Sequence, residues 1–208
     1  MSRFPPIPEV ELSDTQQRAH EGIAQLFTRF PGDFKWKNDE GLVLGPYAPL
    51  FYTEDVSDPW YALSLKVMRQ ERFTAREKEL CIFAVLSEYD TPFVHYAHSQ
   101  IGLWVGFSKE QVQQAVHGHS PDGLDPREAA IYSLAVKLAK LRGPLSDGSF
   151  QQAMEVLQRD EVVGVVHIVS GYVYVAMLSN ISAAGVPEVK EGTFQATKNP
   201  KFAGNEVI

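Results

Sequence analysis

Residues 73–112 read FTAREKELCIFAVLSEYDTPFVHYAHSQIGLWVGFSKEQV. Capping boxes occur at residues 74–77 (TARE) and 108–111 (SKEQ), where a Ser or Thr and a Glu or Gln three positions later satisfy the free N–H groups of a first helical turn. Between them, Thr91-Pro92 places proline at a first helical position, where its missing N–H leaves no bond unmade. The stretch therefore predicts three consecutive helices joined by short connections.

The same signals continue on both sides of this stretch. Ser13 with Gln16 predicts a first helix ending at Pro31-Gly32, and Asp58-Pro59 predicts the start of a second that runs to Arg69. Further helices are predicted after residue 125, around residues 150–157, and from an Asp160 cap to about residue 185. Residues 34–52 show no sustained period, which leaves their structure open. Because no strand-turn-strand pattern appears, we predict an all-α bundle of about seven or eight helices.

We predict one globular domain, at residues 13–187, between two surface segments. Residues 1–12 form an N-terminal arm with three prolines and few apolar anchors. Residues 188–208 form a C-terminal tail that is polar with scattered charge. Both compositions are typical of segments outside a packed core.

Charge and cysteine content restrict the function classes. The net charge is −7 and no Lys/Arg-rich run occurs, which argues against a nucleic-acid partner because phosphate binding needs concentrated positive charge. Cys81 is the only cysteine, so no intrachain disulfide can form, and no apolar leader sequence is evident. We therefore expect a reducing, cytoplasmic location.

Residues 162–181 contain no Asp, Glu, Lys or Arg and approach the length of a membrane span. They nevertheless include His167, Ser170 and Asn180, and no Lys/Arg cluster marks an inner end. Residues 162–169 are rich in β-branched side chains and could form a strand alone, but the helical surroundings favour a helix. We predict a helix buried on all sides, in the core or in a homo-oligomer interface, without membrane contact.

Glu79 lies on an apolar face of the first central helix, because Arg76, Phe83 and Leu86 are three, four and seven positions away. Burying a carboxylate is costly unless it is paired or protonated. Glu79 could therefore be a structural partner of Arg76, or an acid held for proton transfer.

His98 interrupts the apolar face of the next helix, one turn after His95. An imidazole beside a carboxylate can act as a general acid or base on a small substrate, although a hydrogen-bonded core histidine fits the same pattern. The two histidines could bind a metal if His167 converged on them. We predict no metal, because neither a His-Glu-x-x-His nor a Glu-x-x-His pattern is present.

The quoted stretch resembles the core motif of carboxymuconolactone decarboxylase-like proteins. That motif has an Arg-Glu-x-Glu-Leu helix start, a histidine nineteen residues after the second Glu and a Gly-hydrophobic-Ser helix break, which residues 76–80, His98 and residues 106–108 match. The resemblance extends weakly from residue 33 to residue 187. It implies an alkylhydroperoxidase D-like helical fold, a homo-oligomer, and a cofactor-independent site with catalytic His98 and Glu79. The expected substrate-binding residues are Arg76, Phe83, His95, Tyr96 and Tyr172.

The chain also departs from relatives of that family. The peroxidase branch needs a Cys-x-x-Cys pair where this chain has Thr91 and Val94, so thiol peroxidase chemistry is not expected. Many decarboxylase-like relatives have a Tyr-Glu-Trp-x-x-His run, in which Val94 and His95 of this chain replace the glutamate and the tryptophan, and Met177 stands where many have arginine. The resemblance therefore implies a decarboxylase-like lyase or isomerase acting on a small cyclic or polyketide-like compound. A non-catalytic oligomeric binding or scaffold protein, or a metalloenzyme, are the alternatives.

Overall fold

The structure, a computed structural model, describes residues 3–27, 34–39, 41, 43–183 and 185–204. Within these residues nine α-helices form, and the only β pairing is an isolated antiparallel bridge between Lys37 and Val43. The helices are α1 (Asp14–Phe27), α2 (Tyr47–Leu50), α3 (Glu54–Met68), α4 (Ala75–Leu86), α5 (Pro92–Trp104), α6 (Lys109–Val116), α7 (Pro126–Lys140), α8 (Asp147–Met154) and α9 (Arg159–Ile181). The predicted all-α fold is confirmed.

Capping chemistry explains where the central helices begin. At the start of α4, the Glu77 backbone N donates to Thr74 Oγ1 over 3.1 Å, and the Thr74 N donates to Glu77 Oε2 over 2.7 Å. The same reciprocal box precedes α6 at Ser108, and a third precedes α7 at Asp125. Because each box satisfies donors that would otherwise be unpaired, these starts are visible in the sequence.

Some predicted boundaries were wrong. Helix α3 begins at Glu54, so Asp58 is not a cap and Pro59 lies inside the helix. In its first turn, the Thr53 carbonyl accepts hydrogen bonds from the N–H groups of Val56 and Ser57. Helix α9 begins one residue before the predicted Asp160, after a Gln158 box. The predicted end of α1 at Pro31-Gly32 lies outside the described residues.

Helix α4 is the centre of the bundle, in contact with α5, α6, α7 and α9. Its Leu80–Leu86 segment is completely buried and joins a large apolar cluster contributed by α4–α9. A second cluster forms between α1, α3 and the connection after α1. Helix α5 packs closely on α4 at Gly102, where an added Cβ would lie 2.6 Å from the Phe83 ring. The absence of a side chain there lets two consecutive helices lie close together.

The apolar helix α9 is buried on one side only. Val165, Ile168 and Ala176 pack into the core, whereas side chains on the other side remain open to solvent. By length and composition the helix is apolar enough to cross a membrane, and one side of it packs against α4 and α7. The helix is therefore not buried on all sides within the core of the single chain, and its burial in a homo-oligomer interface stays a prediction. Its exposed apolar residues are Val163, Val166, Met177 and Ile181.

The segment after Pro187 is anchored to the body at several points. The Ala196 backbone N donates to Ser99 Oγ over 3.1 Å, and the Gln100 side chain donates to the Phe194 carbonyl. The buried Asn199 amide donates to the carbonyl groups of Ser87 and Val116. The tail thus covers one face of α5 and α6, which its polar composition did not predict.

Candidate active site

Glu79 on α4 and His98 on α5 form a buried pair. His98 Nδ1 lies 2.5 Å from Glu79 Oε1, and the two residues are only 7% and 3% exposed, respectively. In the neutral tautomer whose Nδ1–H donates to the carboxylate, the lone pair is on the other ring nitrogen, Nε2. No hydrogen bond joins that Nε2 to any described residue. The arrangement therefore holds the imidazole in one orientation and leaves one nitrogen for a ligand.

A cavity of about 390 Å³ opens beside this pair. Glu79 and His98 both line it, together with Val94, Ala97 and Ile101 from the same face of α5 and Val105 directly after the helix. Its volume lies toward the small end of the range for small-molecule sites. The aromatic residues of its wall are Phe27, Phe34, Tyr47, Phe93, Trp104 and Tyr172.

Tyr172 on α9 closes the cavity against His98. The two rings meet edge to face with centroids 5.1 Å apart. Burial, then the negative charge of Glu79 and the nearby Tyr47, raise the pKa of Tyr172 well above its ordinary value. Burial likewise raises the pKa of Tyr47. Both phenols therefore stay protonated at neutral pH and can donate hydrogen bonds to a ligand oxygen.

The connection between α1 and α3 forms one wall of the cavity through Phe34, Pro46 and Tyr47. Tyr96, an expected substrate-binding residue, does not line the cavity but lies behind this wall. Its ring stacks on Phe34 with centroids 5.8 Å apart, and its hydroxyl accepts from the Lys35 backbone N over 3.1 Å. We therefore assign Tyr96 to support of the wall.

Arg76 and Phe83, also expected to bind substrate, lie away from the cavity. Arg76 Nε donates to Glu128 Oε1 over 2.8 Å, and its guanidinium lies over the Phe107 ring. The alternative pairing of Arg76 with Glu79 is therefore wrong, because Arg76 reaches α7. Phe83 is fully buried in the core against Phe107. A three-residue spacing places Arg76 near the face of Glu79, but a long side chain can leave that face.

His95 lies on a different face of α5 from His98, outside the cavity. Its Nε2 is buried, and no described residue hydrogen-bonds to it. Burial lowers the pKa of His95 to about 4, with the charge of Asp90 acting in the opposite direction. His95 is thus a neutral, packed histidine. Its expected role in substrate binding does not fit this position.

The metal alternative required a third ligand near His98. His167 lies on α9 and lines a separate cavity of about 300 Å³ between α3 and α9, not the Glu79–His98 cavity. Among the described residues, no three His, Cys, Asp or Glu side chains are placed to hold an ion together.

Lys78, Tyr47 and Trp104 line the cavity but were not predicted from the sequence. Lys78 is adjacent to Glu79 in the sequence, so it lies about 100° away from Glu79 around an ideal helix. It is therefore off the apolar helix face on which Glu79 was identified. Tyr47 comes from a segment without periodicity. Only proximity to the central helix motif could have suggested Lys78.

No protein-family model and no curated protein matches this chain. Among solved structures, the chain is similar to the crystal structure of an alkylhydroperoxidase AhpD core, an uncharacterized peroxidase-related protein from Ralstonia eutropha JMP134. The TM-score is 0.71 at 17% sequence identity, over 93% of this chain and 94% of the other. The alkylhydroperoxidase D-like fold is therefore confirmed, and at this identity the likeness is one of fold alone.

Proposed function

We propose that this chain is a cofactor-independent, decarboxylase-like lyase or isomerase that acts on a small cyclic or polyketide-like compound. The observation that carries the proposal is the buried Glu79–His98 pair at the wall of an aromatic cavity. An imidazole oriented by a carboxylate, with its second nitrogen unengaged by described residues, is suited to proton transfer.

In an isomerisation, His98 Nε2 takes a proton from a carbon next to a carbonyl group. The electron pair of the broken C–H bond moves toward the carbonyl oxygen, where the Tyr172 or Tyr47 hydroxyl can donate a hydrogen bond. The imidazolium, stabilised by the Glu79 carboxylate, then returns the proton to a different carbon. In a decarboxylation, cleavage of the bond to the carboxyl group supplies the electron pair, CO₂ leaves, and an initially protonated His98 gives its proton to the carbon.

Although the fold is similar to that of a peroxidase-related protein, we do not propose thiol peroxidase activity for this chain. Such chemistry by a Cys-x-x-Cys pair needs two thiols, and Cys81 is the only cysteine of the chain. Burial raises the pKa of this thiol, so it is a poor thiolate nucleophile at neutral pH. A buried unpaired cysteine also fits a reducing cytoplasm.

A second candidate is a non-catalytic oligomeric binding or scaffold protein. The exposed apolar side of α9 favours it, since Met177 and Ile181 are 58% and 53% exposed. We propose that this surface joins copies of the chain in a homo-oligomer, whichever function holds. A sizing measurement that finds only monomer at micromolar concentration would contradict the homo-oligomer.

Solvent deuterium exchange tests the enzymatic proposal without knowledge of the product. Wild type and His98→Gln would be incubated in D₂O with a panel of cyclic ketones, lactones and keto acids, and followed by proton NMR. We expect deuterium incorporation or CO₂ loss with at least one compound for wild type, and a rate lower by about 10² to 10⁴ for His98→Gln.

The melting temperature of His98→Gln separates the two candidates. In an enzyme, the variant should lose turnover while its melting temperature stays close to that of wild type. Loss of folding in His98→Gln, with no exchange by wild type on any compound, would instead favour the binding or scaffold protein.

A further inference from the structure

The cavity wall is mostly apolar. Its ionisable residues are Tyr47, Lys78, Glu79, His98 and Tyr172. Lys78 is the only Lys or Arg among the described residues that line the cavity. It comes from α4, immediately before Glu79, so the helix places its backbone next to that of the Glu79–His98 pair. The cavity wall therefore combines apolar rings with one lysine, the residue directly before Glu79 in α4.

The acids nearest to Lys78 in the sequence already have other partners. Glu77 Oε1 accepts from Arg127 Nε over 2.6 Å, and Glu79 pairs with His98. No ion pair joins Lys78 to an acid within the part of the chain that the structure describes. Partial burial lowers the pKa of the Lys78 ammonium, with the charge of Glu77 acting in the opposite direction.

A partly desolvated ammonium without an ion-pair partner is unfavourable, and an anion bound beside it restores the lost interactions. The aromatic walls and the small volume fit a body of one or two rings. One lysine neutralises one negative charge, which matches a carboxylate better than a doubly charged phosphate.

We propose that Lys78 binds the carboxylate of the ligand and makes this cavity selective for ring-bearing monocarboxylic acids over their neutral analogues. The selectivity for acids does not depend on the function proposed above. Only the idea that a carbon of the bound acid reacts at His98 rests on that function. Lys78 is therefore a specificity-determining residue.

Isothermal titration calorimetry with matched ligands tests the proposal on the full chain at pH 7. The probes are cyclohexanecarboxylate and 2-naphthoate, each against its neutral carboxamide. Wild type should bind at least one acid more tightly than its amide by about tenfold or more, as a charge-assisted hydrogen bond provides. Lys78→Met should lose that preference while its amide affinity stays within about twofold, and Lys78→Arg should keep it.

Lys66→Met is the matched control, because Lys66 is an exposed lysine on α3 that lines neither cavity. It should bind acids as wild type does. Equal affinity of wild type for acid and amide, an unchanged preference in Lys78→Met, or no acid binding at millimolar concentration would each overturn the proposal. Acid selectivity without deuterium exchange would refute only the enzymatic function.

Discussion

Two histidines on α5, three residues apart, have opposite environments. His98 faces the cavity, where Glu79 holds one ring nitrogen and a ligand can reach the other. His95 faces away from the cavity, and its Nε2 is buried without a described partner. Ser99, one turn after His95, binds the C-terminal segment. One face of α5 thus serves the candidate site, and the other holds the tail.

The comparison shows that residue type and local spacing do not assign a role. Both histidines interrupt an apolar helix, and both could have been ligands or proton carriers. The surroundings separate them: α4 brings a carboxylate to His98, whereas burial is the largest influence on the pKa of His95.

The largest expected difference is in turnover. On any compound that wild type converts, His98→Gln should reduce the rate by about 10² to 10⁴, because it removes the positioned proton carrier. The same substitution at His95 should change the rate by less than about threefold, since His95 does not line the cavity. Comparable losses of kcat in the two variants, measured on equally folded proteins, would remove the functional distinction between the two faces.

The next effect is on stability at acidic pH. The folded-state pKa of His95 is about 4, below its unfolded value of 6.5, so the unfolded chain binds more protons between these pH values. Stability should therefore fall as the pH drops from 6.5 to 4 and level off below, by up to about 3 kcal/mol from this residue. His95→Gln should remove that part of the pH dependence in urea unfolding. Parallel stability curves for wild type and His95→Gln would contradict the assignment.

The smallest expected effect is at the tail contact. Ser99 Oγ donates to the His95 carbonyl over 2.8 Å and accepts from the Ala196 backbone N. Ser99→Ala leaves that buried N–H unpaired and should reduce the free energy of unfolding by about 1–2 kcal/mol. Turnover should be unchanged, because Ser99 is not part of the cavity wall. A loss of turnover in a Ser99→Ala variant that remains folded would show that the face of α5 in contact with the tail affects the site.

The central helices could be predicted because their starts are encoded locally. Capping at Thr74, Ser108 and Asp125 depends on side chains within three positions of the backbone groups they satisfy. The start of α3 could not be read in the same way, since no side-chain cap is present at Thr53. The connection before α3 takes its form from contacts with distant helices, such as the stacking of Phe34 on Tyr96.

The site was predictable only where neighbouring residues of one helix determine it. Glu79 and His98 stand out because each is polar on an apolar helix face. Arg76 appeared equivalent to them, yet its side chain reaches Glu128, fifty-two positions away. Lys78 was not selected from the sequence, yet it lines the cavity.

The sequence by itself determined that this chain forms an all-α bundle with a carboxylate and an imidazole on consecutive central helices. Helical period and capping act within a few residues, so they can be read along the chain. Only the tertiary structure decided which histidine faces the cavity and that Arg76 pairs with α7. It also brought Lys78 and Tyr47 to the same wall, because these outcomes depend on which distant helix lies opposite each face.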